Sequence, residues 1–417
     1  MQCFEGGQVI VLPREGGADD FIRAIREGEG RFRILYAIED ILSYYELRSD
    51  NLLKQFGAVP FVAQVPEGEE LESAEAFRAN NLVKAAIPNF HVTPLSIKPH
   101  INKKFIEDII TELRCSAPAI SCGNAVKIAV IDTGVNPSVL SNPGTLYPRQ
   151  YATDCRDPSR STAPIDPLGH GTTVAYIVNA IAPGATILSI KMMEKIGNIG
   201  GLIAALYLAE AEFQPDIYNL SLALTCDSEI CGSCGNPIQS AINADQLRFL
   251  FSLVDKRENL TGDKPLLIAA AGNGGSQVRM PACFENILAV GSFDTKSSKL
   301  PDYSRYSRVH RDRFILAPGG EDNLSNSMSY IRPSSYDRQD KFFFGTSFSA
   351  AFVTGIAARF LCATKDSPCR GMSSGASIPN DLSTRQYLMD RFESHANRGF
   401  KGYAAHRHGI GLVQYSQ

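Results

Sequence analysis

The sequence predicts an α/β domain, a mainly parallel sheet with helices on both faces, preceded by a small α+β N-terminal domain. Short, wholly apolar runs recur from Val126 onward, separated by helical patterns. Parallel strands buried on both faces read this way. Before about residue 95 the texture differs, with strands and charged helices alternating in a short span. The length of 417 residues also exceeds what one ordinary core accommodates.

In the N-terminal domain, residues 1–95, the run QVIVL at 8–12 reads as a strand and the charged stretch 18–26 as a helix. Residues 31–36 follow, then a helical segment ending near Lys54 and a second strand at 58–65 (AVPFVAQV). Residues 67–80 are rich in Glu and Ala and predict a helix. A last strand at 83–92 completes one sheet with helices on one face. Residues 96–124 form a linker and the first helix of the large domain, over 101–113. The large domain spans 125–417, with strands at 126–131, 185–190, 217–224, 266–271 and 287–290 and a helix at 200–212.

Composition bounds the partners. Hydrophobic residues make up 44% and charged residues 20%, as in a soluble globular protein. Lys plus Arg number 41 and Asp plus Glu 44, a net charge of −3 that gives no reason to expect nucleic acid or an anionic membrane. No apolar run approaches the roughly 18 residues of a membrane span. The N-terminus shows no basic, apolar and small-residue signal pattern, so a cytoplasmic protein is expected. Ten cysteines then read mostly as reduced thiols. Cys226, Cys231 and Cys234, spaced C-x4-C-x2-C, leave zinc with a fourth ligand, a loop disulfide and free thiols as open readings.

Four positions carry chemistry. Asp132 closes the strand KIAVI, at the carboxyl end where open parallel sheets bind ligands. His170 is framed by Gly169 and Gly171 ahead of an apolar helix. Ser347 opens a helix surrounded by small and apolar residues, whose N-terminal N–H groups favour developing negative charge. Asn273 ends the buried strand LLIAAA between glycines, where its amide can meet an oxyanion. Singly, each has a blander reading as cap, turn former or structural histidine.

Together, IDTG at 131–134, GHGT at 169–172, AAAGN at 269–273 and GTSFSA at 345–350 resemble the subtilase family, in its Asp…His…Ser order. Asn219-Leu220-Ser221-Leu222, Tyr303 to Ser307, Ala317-Pro318-Gly319 and the closing segment 408–413 are similar to further family patterns. The resemblance covers about residue 100 to the C-terminus. It implies a subtilisin-like fold and a serine endopeptidase with Asp132, His170 and Ser347 as triad and Asn273 at the oxyanion. A polypeptide substrate would lie extended beside Ser221, Leu222 and Ala223, near Ala271 and Gly272.

The resemblance further implies that no metal or organic cofactor is needed. Structural calcium is frequent in the family, and no ligands for it are assignable. Residues 1–95 would act as a propeptide-like intramolecular inhibitor, with self-cleavage between about His91 and Lys103, or as a retained regulatory or partner-binding domain. The departures are Phe348 and Ala351, where the family usually has Met and Pro, and Ala223 in place of a glycine. Neither departure is expected to touch the proton-transfer residues. Arg279 and Met280 are candidates to line the primary pocket. The alternatives are a peptide-maturing enzyme, removing leaders or closing macrocycles, and a non-catalytic binding module.

Overall fold

The apolar runs of the large domain pair in parallel. The computed structural model describes residues 4–16, 18–27, 32–47, 58–94, 103–113, 125–140, 142, 145–153, 166–224, 263–275, 277–295, 297–306, 311–320, 345–362 and 382–415. Its central sheet has seven strands: β5 (Lys127–Asp132), β6 (Tyr151–Ala152), β7 (Thr186–Lys191), β9 (Ile217–Leu220), β11 (Leu266–Ala270), β12 (Ile287–Phe293) and β13 (Phe314–Pro318). They run in the order β13-β12-β11-β9-β5-β7-β6, all parallel. β6 and β13 lie outside the strands expected from the sequence. Alternate residues of β5 serve the two faces, Ile128 and Val130 one core, Ala129 and Ile131 the other. Helices cover both faces, as expected.

One face carries α4 (Lys103–Glu112), α5 (His170–Ile181), α7 (Thr346–Cys362) and α8 (Thr384–His395). All seventeen residues of α7 are buried, as the small residues around it predict. The other face carries α6 (Ile199–Glu212). A short α9 (Ala405–His408) lies near the C-terminus.

The N-terminal region contains β1 (Phe4–Pro13), α1 (Ala18–Glu27), β2 (Arg33–Ala37), α2 (Ile38–Tyr44), β3 (Phe61–Gln64), α3 (Glu70–Arg78) and β4 (Val83–Pro94). Its strands form an antiparallel sheet in the order β4-β1-β3-β2. Two expectations need correction. The helix expected to run toward Lys54 closes at Tyr45, and Glu46 adopts φ 59° beyond it; the rest of that stretch is outside the described residues. Helices also do not keep to one face. Phe21 of α1 and Ala74 and Phe77 of α3 pack on Val9, Val11 and Phe61, whereas α2 joins Ile10, Leu12 and Val62 in the core shared with α6.

The apolar run 217–224, expected as one strand, is divided at Ser221. Residues 217–220 join the parallel sheet, and β10 (Leu222–Leu224) pairs antiparallel with the end of β4. Leu222 faces Pro94, Ala223 faces Thr93 and Leu224 faces Val92. A further strand, β8 (Gly197–Asn198), pairs with β4 at His91 and Val92. The last residues of β4 thus lie between two strands of the large domain.

Candidate active site

Asp132 is the last residue of β5, and His170 is the first of α5. Gly169, at φ 81°, turns the chain into α5 in a left-handed conformation that disfavours L side chains. Gly171 permits the close approach, since a Cβ there would collide with the Gly134 carbonyl and press on the Asp132 side chain. His170 Nδ1 lies 2.6 Å from Asp132 Oδ1, and both side chains are 1% exposed. Asp132 Oδ1 also accepts from the Thr133 N–H at 2.7 Å. A carboxylate at Nδ1 places the proton there, which leaves Nε2 as the acceptor. Nε2 is buried and makes no hydrogen bond among the described residues.

Ser347 stands in the first turn of α7. Its Oγ donates to the Ser221 carbonyl at 3.1 Å, so the hydroxyl is turned to the break between β9 and β10 and makes no hydrogen bond to the imidazole. Ser221 Oγ lies 2.9 Å from both the Ser347 carbonyl and Asn219 Oδ1, and its single proton is shared between these two acceptors. Asn219 Nδ2 in turn donates to Thr354 Oγ1 of α7 at 3.0 Å. These bonds tie the break between β9 and β10 to the start of the serine helix.

Asn273 Oδ1 accepts from the Thr346 N–H and from Thr346 Oγ1, each at 3.1 Å. Because the oxygen is held this way, the amide NH2 points away from Thr346. All four expected residues therefore gather where β5 and β11 end and α5 and α7 begin.

The expected substrate positions divide. Ser221, Leu222 and Ala223 lie at the break and along β10, and Ala223 and Leu222 face the chain in β4. Ala271 and Gly272 are already engaged through their main chains. Ala271 N–H donates to Val290 O and its carbonyl accepts from Arg279 N–H; Gly272 N–H donates to Thr346 Oγ1 and its carbonyl accepts from Arg305 N–H. Their main-chain groups are thus bonded within the domain, whereas β10 is the strand that pairs with β4. The Arg279 stem passes over Gly272, and Met280 is buried with its carbonyl accepting from Leu224 N–H.

Phe348 corrects one expectation. Its ring lies 5.8 Å from the His170 ring, so this departure does touch the proton-transfer residues. Residue spacing could not reveal it, because the contact joins two helices. The site also holds Asp166, which sequence reasoning missed. It is buried, and desolvation pushes its carboxyl above the usual range despite hydrogen bonds from Thr172, Thr133 and Gly169. Its position four residues before His170 was the available signal.

The Cys226, Cys231 and Cys234 loop lies outside the described residues. Among the described residues, Cys283 and Cys362 are buried, and no cluster of His, Cys, Asp or Glu suits a metal. No helix among them is long and apolar enough to cross a membrane.

A model of the subtilase family matches residues 123–400. The chain is 28% identical over 245 residues to the thermophilic serine proteinase of Bacillus sp. (strain AK1), covering 56% of this chain and 51% of that protein. It is 26% identical over 265 residues to the subtilisin-like protease PopC of Myxococcus xanthus (strain DK1622), covering 58% and 53%. The matches thus span about half the length of these curated relatives. Among solved structures, the epidermin leader peptide processing serine protease from Staphylococcus aureus aligns with TM-score 0.63 at 16% identity, over 98% of this chain and 97% of that one. A lanthipeptide protease aligns with TM-score 0.56 at 20% identity, over 74% and 91%. At such identities the likeness is one of fold.

Proposed function

The chain belongs to the subtilase family, and from that premise we propose that it is a serine endopeptidase with Asp132, His170 and Ser347 as triad and Asn273 at the oxyanion. The observation that carries this reading is the buried Asp132–His170 pair at 2.6 Å, with Nε2 left open. A serine hydroxyl is a weak nucleophile at its own pKa, so it needs a base. Ser347 Oγ leaves the Ser221 carbonyl, gives its proton to His170 Nε2 and attacks the peptide carbonyl carbon. Asp132 holds the imidazole tautomer and stabilises the imidazolium. The Asn273 amide and the Ser347 N–H bind the oxyanion at the positive end of α7. His170 returns the proton to the leaving amine, and water then hydrolyses the ester by the same steps reversed. Oxygen, imidazole and carboxylate suffice, so no cofactor is invoked.

The N-terminal region is read as an intramolecular inhibitor. An extended substrate binds by adding a strand to an open edge, and residues 92–94 already occupy the edge of β10. The cleavage expected between His91 and Lys103 falls partly on this strand and partly outside the described residues.

Labelling by a fluorophosphonate probe tests the reading on wild type, His170→Ala and Ser347→Ala. Labelling of the wild type alone is expected. Equal labelling of Ser347→Ala, or none of a folded wild type even after proteolysis of the N-terminal region, would overturn it and leave the binding-module reading. Intact masses of wild type and Ser347→Ala test self-processing, which equal full-length masses would exclude.

Leader removal or macrocyclisation is the second reading. It is supported at the level of fold by the likeness to the epidermin leader peptide processing protease. The two readings separate on whether an added peptide amine competes with water for the acyl-enzyme.

A further inference from the structure

Asp166 is a 2% exposed carboxylate that the proposed chemistry does not use. Its Oδ1 accepts from Thr133 Oγ1 at 2.8 Å, from Leu168 N–H at 3.0 Å and from Gly169 N–H at 2.7 Å. Its Oδ2 accepts from Thr172 N–H at 2.8 Å and Thr172 Oγ1 at 2.7 Å. The Thr172 bond supplies the cap of α5 that Gly169, lacking a side chain, cannot make.

The Thr133 bond reaches beyond the helix. Thr133 follows Asp132 and donates its N–H to Asp132 Oδ1, while its Oγ1 accepts from the Gly171 N–H at 2.9 Å. Thr172 Oγ1 accepts from Asn136 N–H at 2.9 Å, a second tie between the loop after β5 and the first turn of α5. One carboxylate therefore holds both sides of the Asp132–His170 pair.

We propose that Asp166 is a positioning residue, which sets the separation and orientation of Asp132 and His170 through Thr133 and the first turn of α5. Hydrogen bonds are directional, and a buried carboxylate with both oxygens engaged, as in Asp166, has little room to adjust. An asparagine at 166 keeps the shape but replaces one acceptor oxygen by an NH2 that opposes the surrounding donors. The Asp132 loop and the histidine helix then lose their common anchor. A misplacement of about 1 Å at a reacting group costs on the order of 10²-fold in rate.

This inference rests on the triad reading above, and the test separates the two. Wild type, Asp166→Asn, Thr133→Val and Thr133→Ser are compared by their rate of fluorophosphonate labelling and by the NMR titration of His170. Both are run at a temperature at which circular dichroism shows each protein folded. Asp166→Asn and Thr133→Val are expected to label about 10–100-fold more slowly, with the His170 midpoint displaced. Thr133→Ser, which keeps the hydroxyl, is expected to restore both. Thr133→Val keeps the Asp166–Thr172 bonds at the start of α5, so it carries the test alone if Asp166→Asn does not fold. Wild-type labelling and an unchanged His170 midpoint in Thr133→Val would overturn the proposal and leave Asp166 a helix cap. If the wild type does not label even after proteolysis of the N-terminal region, the triad reading fails, and the His170 midpoint still decides the positioning role.

Discussion

The two sheets of the molecule close their faces by different means. β5 of the parallel sheet sends Ile128 and Val130 to one core and Ala129 and Ile131 to the other, and the large domain's own helices cover both. β1 of the antiparallel sheet sends Val9 and Val11 to a core completed by α1 and α3. Its Ile10 and Leu12 enter a core with Ile199, Leu202 and Leu206 of α6. Asn89 strengthens that seam, donating to Gln8 Oε1 and accepting from the Gly200 N–H at the start of α6, each at 2.9 Å. The N-terminal region therefore completes only one of its faces alone, and apolar burial against the large domain supplies the other. On this contrast, changes in the large domain should alter chemistry without altering docking, and changes on β4 should do the reverse.

The largest effect is expected at Asn273. Asn273→Asp keeps an oxygen for Thr346 but removes the amide donor, so kcat should fall about 10²–10³-fold with little change in melting temperature. A fall in KM-dependent terms alone would break the assignment. Next comes Val92, fully buried in the shared core opposite Leu224 and Gly197. Val92→Asp puts an ionisable group into an apolar seat. Initial hydrolysis of a peptide substrate, read before any self-processing, should rise at least about tenfold, the equivalent of roughly 1.4 kcal/mol. An unchanged rate would mean that β4 does not restrain the cleft.

A smaller effect sits at the far side of the interface. Tyr45 Oη donates to the Ala152 carbonyl at 2.7 Å and accepts from the Ala152 N–H at 3.0 Å. Tyr45→Phe should lower the stability of the docked N-terminal region by about 1–2 kcal/mol, read as a lower urea midpoint with labelling of Ser347 kept or faster. Loss of labelling would break the division between docking and chemistry.

The smallest effect is a pH slope. Desolvation raises the Asp166 carboxyl above its usual range, so the folded state holds this proton more tightly than the unfolded chain. The stability linked to that proton is present in full below about pH 4 and is lost as pH rises through the raised folded-state value. Asp166→Asn, which does not titrate, should show a larger stability deficit near pH 4 than near pH 7. The opposite slope would mean that the hydrogen bonds to the carboxylate outweigh its burial.

The strands of the large domain were legible because residues buried on both faces must be apolar whatever their neighbours. The tie of Asp132, His170, Asn273 and Ser347 to element ends was legible for a related reason: strand ends and helix starts are marked locally by glycine and by a change of period. Phe314–Pro318, as apolar as its neighbours, went unread as a strand, since a short run is ambiguous without its partner. The contact of Phe348 with His170 and the reach of Asp166 to Thr133 span separate elements, so no local pattern records them.

By itself, the sequence determined the α/β class, most of the buried strands of the large domain and the four candidate residues of the site, because burial and chain reversal leave period and residue type in each segment. Tertiary structure alone decided that 217–224 divides at Ser221 between two sheets, and that 92–94 lies on the edge of β10. It also turned the Ser347 hydroxyl to Ser221. An alternating pattern states which face of a strand is buried and says nothing of which distant strand it meets. That choice is made by the shapes and hydrogen bonds that come together only when the chain is folded.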